Sequence, residues 1–221
     1  MDRRTKEDIK AGVYKQSLIV RHWSNKELRR LAPLFSGDVL NLSGWKDEDK
    51  QGGTYREYFK NAASYTISNC PGEDRSSDID EAFHEKVSID LMADIPDGLI
   101  AGFDVVFNHT VLEHIFDCFK AFANMCLLTR DVIISVVPFS QLQHDANVSY
   151  GDYWRFCPAA MRKLYSTNGL SIIYESAAPF KDAAIYLLFV GARHPAVWKT
   201  IFPDYKPLTN VGEWIGLRKR K

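Results

Sequence analysis

Two apolar, strand-length runs stand near the end of the chain, Leu170–Glu175 and Ala184–Val190, and only eight residues, Pro179 among them, lie between them. A link that short cannot carry a crossover, because parallel neighbours need roughly a dozen residues or more. If both runs join one sheet, the last strand runs antiparallel to its neighbour. Upstream the pattern differs. Val39–Leu42, Ser64–Ser68, Lys86–Ile89, Phe103–Phe107 and Asp131–Val137 alternate with helix-like stretches. Near-continuous runs of this kind suit parallel strands covered on both faces. The expected class is α/β: a seven-stranded, mostly parallel sheet with an antiparallel terminal strand and helices on both faces.

The helices can be read one by one. Ser24-Asn25-Lys26-Glu27 is a capping-box pattern and predicts a helix starting near Asn25, with Gly37 after its end. Residues 1–36 are then a helical extension that covers a sheet edge or closes over a ligand. Asp117 reads as the N-cap of a second helix, whose Phe119, Phe122, Ala123, Cys126 and Leu127 recur on one face. Pro158 suits the first turn of a third, with Met161, Leu164 and Tyr165 as its apolar stripe and Asn168-Gly169 at its end. The expected organisation is an extension over 1–36, an α/β domain over 37–192, and a C-terminal extension with a basic tail over 193–221.

Composition narrows the function classes. Lys+Arg and Asp+Glu both number 28, so the net charge is zero and bulk affinity for nucleic acid is not expected. The basic cluster Leu217–Lys221 reads as a solvated end. The longest apolar stretches, Val132–Phe139 and Ala183–Ala192, are too short to span a bilayer, and no signal peptide is visible behind the charged first residues. Cys70, Cys118, Cys126 and Cys157 form no C-x-x-C pattern, which suits free thiols in the cytoplasm. No metal-ligand spacing is present, and Asp47-Glu48-Asp49 reads as a solvated acidic loop.

Three segments carry a resemblance. Asp38-Val39-Leu40-Asn41-Leu42-Ser43-Gly44-Trp45 is a strand and its turn. Phe103–Asn108 runs into His109-Thr110-Val111-Leu112-Glu113-His114. Val136–Phe139, His144 and Gly151-Asp152-Tyr153-Trp154-Arg155-Phe156 follow in order. With the terminal hairpin, this set resembles the class I S-adenosylmethionine-dependent methyltransferases over roughly residues 37–192, in the branch associated with polysaccharide biosynthesis. The resemblance implies a Rossmann-like sheet, S-adenosyl-L-methionine as cofactor, and in-line methyl transfer to oxygen on a sugar, a glycan or a related small acceptor. One departure stands out. The acid usual at the end of the first strand is Asn41, the first glycine is Ser43, and Trp45 follows. That departure motivates an alternative, a degenerate, non-catalytic binding or scaffold module of the same fold. A nucleotide-dependent oxidoreductase is disfavoured, since no Gly-x-Gly-x-x-Gly follows the first strand.

Ligands of open α/β sheets sit at the carboxyl ends of the strands, so the expected site residues are strand-end residues. By family position, the backbone of Leu42, Ser43 and Gly44 lines the floor, Asn69 meets the ribose, Asp90 and Leu91 meet the adenine, and Asn108 and His109 face the methionine portion. The competing reading of Asp90 is a cap. A histidine near neutral pKa suits removal of an alcohol proton, and His144, in the loop after the fifth strand, is the expected base. Asp152 would orient it or bind a hydroxyl. Tyr153 and Trp154 would stack on a sugar face and Arg155 would hold a carboxylate or phosphate; the competing reading is core filling for Trp154 and an ion pair for Arg155. His114 reads as architectural.

Overall fold

The computed structural model describes residues 16–71, 85–143, 151–178, 184–209 and 211. Seven strands form one sheet: β1 (Gly37–Asn41), β2 (Ala62–Asn69), β3 (Glu85–Ser88), β4 (Phe103–His109), β5 (Thr129–Pro138), β6 (Ser171–Ala177) and β7 (Tyr186–Ala192). Their spatial order is β3-β2-β1-β4-β5-β7-β6. All pairings are parallel except those of β7, which runs antiparallel to both β5 and β6. This is the Rossmann-like sheet with an antiparallel terminal strand, as the short link between the last two runs requires.

Among the described residues four α-helices flank the sheet: α1 (Gln16–Leu31), α2 (Cys118–Leu128), α3 (Pro158–Thr167) and the short α4 (Pro195–Trp198). Val132 to Val137 are six consecutive buried residues in β5. Alternate side chains go to opposite faces, so both faces must be covered. Ile133 and Val137 join Leu40, Val106 and Phe189 under α2 and α3. Ile134 and Val136 join Val39, Phe107 and Leu188 under α1 and the turn at Tyr55–Phe59. Each such side chain contributes about 1.5–3 kcal/mol of burial, which makes β5 the spine of the fold. Among the described residues no helix is long and apolar enough to cross a membrane.

Two helix expectations are corrected. The first helix does not start near Asn25; it runs from Gln16, and Ser24 and Asn25 sit inside it, both fully buried. Their side chains bond across to other elements instead of capping. In α2 the N-cap is Asp117, whose side chain accepts from Lys120 N. The buried face, however, runs through Cys118, Ala121, Phe122, Met125 and Cys126, one residue earlier than expected, and Phe119 and Leu127 are exposed. The helix carries two overlapping apolar stripes, and packing on β4 and β5 selects one.

Candidate functional site

The strand order reverses between β1 and β4, and open α/β sheets bind ligands in the crevice outside the carboxyl ends of the strands at such a point. The turn after β1 builds its floor. Leu42 N donates to Phe107 O, Ser43 N to Ser68 Oγ and Gly44 N to Ser68 O. Ser43, Trp45 and Asp47 all have positive φ, near 58°, 47° and 58°. The backbone thus follows a path natural to glycine with side chains that resist it. Gly44 cannot be replaced freely, because a Cβ there would lie 2.5 Å from Asn41 Nδ2.

The acidic loop that follows is not solvated as expected. Asp47 and Asp49 are buried. Asp47 accepts from Asn41 Nδ2 at 2.6 Å, Tyr65 Oη at 2.8 Å and Arg56 N at 2.9 Å. Asp49 accepts from the Tyr58 hydroxyl, Gln51 N, Gly53 N and Arg29. Burial pushes the Asp49 carboxyl up, but these donors outweigh it and hold it below the usual range. Asp47 thus ties this loop back to Asn41 at the end of β1. Trp45 stays at the surface, 39% exposed, with the Lys46 and Lys50 ammonium groups over its ring, so its indole does not fill the crevice.

Asn69 and Asp90 stand at the ends of β2 and β3, and each spends one oxygen locally. Asn69 Oδ1 accepts from Trp45 N at 2.8 Å, and Asp90 Oδ1 accepts from Met92 N at 2.7 Å. Among the described residues Asn69 Nδ2 and Asp90 Oδ2 carry no bond. Leu91 is buried, with its carbonyl bonded by Asn124. Asn108 donates from Nδ2 to Leu42 O at 3.1 Å, while its fully buried Oδ1 has no partner among the described residues. An orphaned buried acceptor costs about 1–3 kcal/mol, so this oxygen is a place where a ligand donor is favoured.

His109 does not face the same crevice. Its Nδ1 lies 2.9 Å from Arg21 and its Nε2 lies 2.8 Å from Ser24 Oγ, both on α1. An arginine can only donate, so Nδ1 accepts and Nε2 carries the proton to Ser24, whose hydroxyl donates to Arg21 O. Burial first, and the Arg21 charge second, hold this imidazole well below its usual pKa and therefore neutral. Ser24 could have been singled out from the sequence, since it interrupts the apolar stripe Val20, Leu28, Leu31 at helical spacing. Arg21 gave no such signal.

Beyond β4, the segment 151–156 closes against the turn Leu112–His114. Tyr153 N donates to Glu113 O at 2.7 Å, and His114 Nδ1 lies 2.6 Å from Gly151 O. Buried Asp152 takes two bonds from Arg155, at 2.6 and 2.7 Å. The rest of that guanidinium goes to the carbonyls of Gln141, Leu142 and Trp154. Arg155 is thus an intramolecular clamp with nothing left for a ligand anion, which corrects the expectation. Trp154 is half-buried and donates from Nε1 to Ile115 O and Phe116 O; Tyr153 is exposed. His144 lies outside the described residues.

Glu113, which with His114 reads as architectural in the sequence, is a buried carboxyl in the structure. It is 1% exposed, and among the described residues neither oxygen has a hydrogen-bond partner. Burial above all, with Asp152 nearby, pushes its pKa up to about 8.

No family model matches the chain, and no curated protein matches it. Solved structures do. A Burkholderia thailandensis 1,6-didemethyltoxoflavin-N1-methyltransferase, holding 1,6-didemethyltoxoflavin and S-adenosylhomocysteine, superposes with TM-score 0.55 at 16% identity over 77% of this chain and 80% of its own. The Synechocystis magnesium protoporphyrin IX methyltransferase with bound S-adenosylhomocysteine gives 0.52 at 14%, over 87% and 89%. A Rhodobacter sphaeroides protein described as a Zn-dependent alcohol dehydrogenase gives 0.56 at 14%, over 75% and 88%. At such identities the likeness is one of fold.

Proposed function

We propose that the chain is an S-adenosylmethionine-dependent methyltransferase acting on oxygen of a sugar or related small acceptor. One observation carries the reading. Polar strand-end groups collect where the strand order reverses, and among them is a fully buried acceptor, Asn108 Oδ1, that lacks a donor. Two of the solved neighbours hold S-adenosylhomocysteine at such a fold. The groups present fit the cofactor. The turn Leu42–Gly44 keeps the glycine-type backbone path, Asn108 Oδ1 suits the ammonium of the amino-acid end, and Asn69 Nδ2 suits a ribose hydroxyl. Asp90 Oδ2, next to Leu91, suits the adenine amino group.

When bound, the cofactor supplies an electrophilic methyl on a sulfonium sulfur. The chain's own work is orientation and proton handling. In this reading His144 takes the acceptor's proton, Asp152 orients it, and Tyr153 offers a ring face to the acceptor. A role in surface polysaccharide assembly, in the cytoplasm, is the setting that the resemblance suggests.

Calorimetry on the whole chain tests this. Saturable binding of S-adenosylmethionine and its demethylated product is expected. No binding at about millimolar concentration, a free energy near −4 kcal/mol, would leave the second reading, a scaffold without turnover. Ser43, Trp45 and Asp47 at positive φ, where glycine would be unstrained, favour that reading. His144→Ala should lower turnover by roughly 10²–10⁴ without changing product affinity, and a wild-type rate would reject His144 as base.

A further inference from the structure

Glu113 presents an imbalance that internal structure does not resolve. Its backbone carbonyl is doubly used, by Tyr153 N at 2.7 Å and Trp154 N at 3.3 Å. Among the described residues its buried carboxyl has no hydrogen-bond partner, and the nearest ring nitrogen is its own neighbour's, with His114 Nε2 at 3.9 Å from Oε1. Native proteins rarely keep such a group unless a ligand or a function uses it. The surroundings suggest what kind. Directly beside the turn, Phe116 and Tyr153 are 71% and 52% exposed, their ring centroids 5.4 Å apart and edge to face. Trp154 lies 6.3 Å from Phe116, anchored through Nε1 to the carbonyls of Ile115 and Phe116. An exposed aromatic surface thus adjoins the turn that carries a buried carboxyl.

We propose that Glu113 and this aromatic surface form the acceptor site, the carboxyl binding a hydroxyl of a neutral ring compound whose face lies on Tyr153 and Phe116. A carboxyl held protonated both donates and accepts, which matches a hydroxyl. An anionic ligand would meet Asp152, and a cationic one would meet Arg21 and Arg155, which act on the same carboxyl. Two sources share this chemistry, sugars and phenols, since aromatic faces pack on either ring. The proposal takes its purpose from the methyltransferase reading, but its binding needs no cofactor.

The test titrates methyl β-D-glucoside and 4-ethylphenol separately into the whole chain, with the carboxyl carbons of glutamate labelled for NMR. One of the two probes should move the Glu113 signal, and which one moves it tells the sugar source from the phenol. Glu113→Leu should weaken that probe roughly tenfold, the worth of one hydrogen bond, while melting at an unchanged or higher temperature, because no internal bond is lost. Glu113→Gln, which keeps a donor and an acceptor, should stay within about threefold. A silent Glu113 signal with both probes overturns the proposal. So does a Glu113→Leu protein that melts several degrees lower and binds the probe as before. Calorimetry with S-adenosylhomocysteine on the same samples separates the readings: unchanged cofactor-product affinity in Glu113→Leu assigns any loss to the acceptor site alone.

Discussion

Asn41 and Asp47 depend on one another. The hydrogen bond from Asn41 Nδ2 to Asp47 Oδ1, 2.6 Å long, lies in a buried setting with the Tyr65 hydroxyl on the same oxygen. Asn41→Asp would put two carboxylates in contact. Like charges that close cannot both ionise without a large penalty. The variant should lose roughly 2–4 kcal/mol of stability at neutral pH, as for an unpaired buried charge. The loss should shrink at acid pH as one carboxyl takes up a proton. Urea unfolding at the two pH values measures this, and an equally stable Asn41→Asp protein would show that residue 41 and Asp47 do not meet in a buried setting.

Among elements, α3 packs closely on β7. A Cβ on Gly191 would fall 2.2 Å from the Tyr165 ring, and the buried Tyr165 hydroxyl lies 2.8 Å from Ser135 Oγ on β5. The ring therefore lies flat over a strand position that has no side chain. Gly191→Ala should cost about 1–3 kcal/mol by overpacking, although glycine to alanine within a strand is otherwise favourable. Thermal melts compare it with Gly98→Ala, where nothing lies within 4 Å of the added carbon. Equal melting temperatures would mean that α3 moves away freely. The stripe Met161, Leu164, Tyr165 was legible from spacing alone, and all three are buried. The rotation of α2 was not, because its two apolar stripes differ by one residue and only the sheet beneath chooses between them.

The molecule as a whole carries two opposed pH dependences. Asp38 is held below its usual range by the Ser64 hydroxyl and Arg130, and Asp104 by Arg130. Glu175 is likewise held down, because Arg162, Tyr205 and Leu208 N outweigh its burial. Their stabilisation is fully present above the unfolded carboxyl values and is lost as pH falls through the folded ones. Glu113 works the other way. Its folded pKa of about 8 lies above the unfolded value, so the folded state binds more protons between roughly pH 4.5 and 8 and stability declines as pH rises through that window. The groups acting on it are Asp152, Arg155 and Arg21, with Tyr186 and His114 adjacent, and the effect is on the order of 3–5 kcal/mol. Melting temperature should therefore peak on the acid side of neutrality. Glu113→Gln should flatten the fall toward pH 8, and an unchanged slope in that variant would place the titrating group elsewhere.

Local order along the chain was enough to predict the sheet. Apolar runs of strand length, helix-length gaps and one gap too short for a crossover leave few ways to arrange seven strands, and the terminal hairpin follows from chain length. Asn41, Asn69, Asp90 and Asn108 could likewise be placed at strand ends, because position in a parallel sheet sets which end faces the crevice. Other features needed the packed molecule. Ser24 and Asn25 looked like a cap until a helix that begins earlier turned them inward onto His109 and Asp49. Arg155 looked like a ligand until its guanidinium closed on Asp152 and three carbonyls. Glu113 looked like framework until burial left its carboxyl unpaired. Periodicity reports which residues share a face; it is silent on which polar atoms, far apart in sequence, end up satisfying one another, because that depends on desolvation and distance in three dimensions.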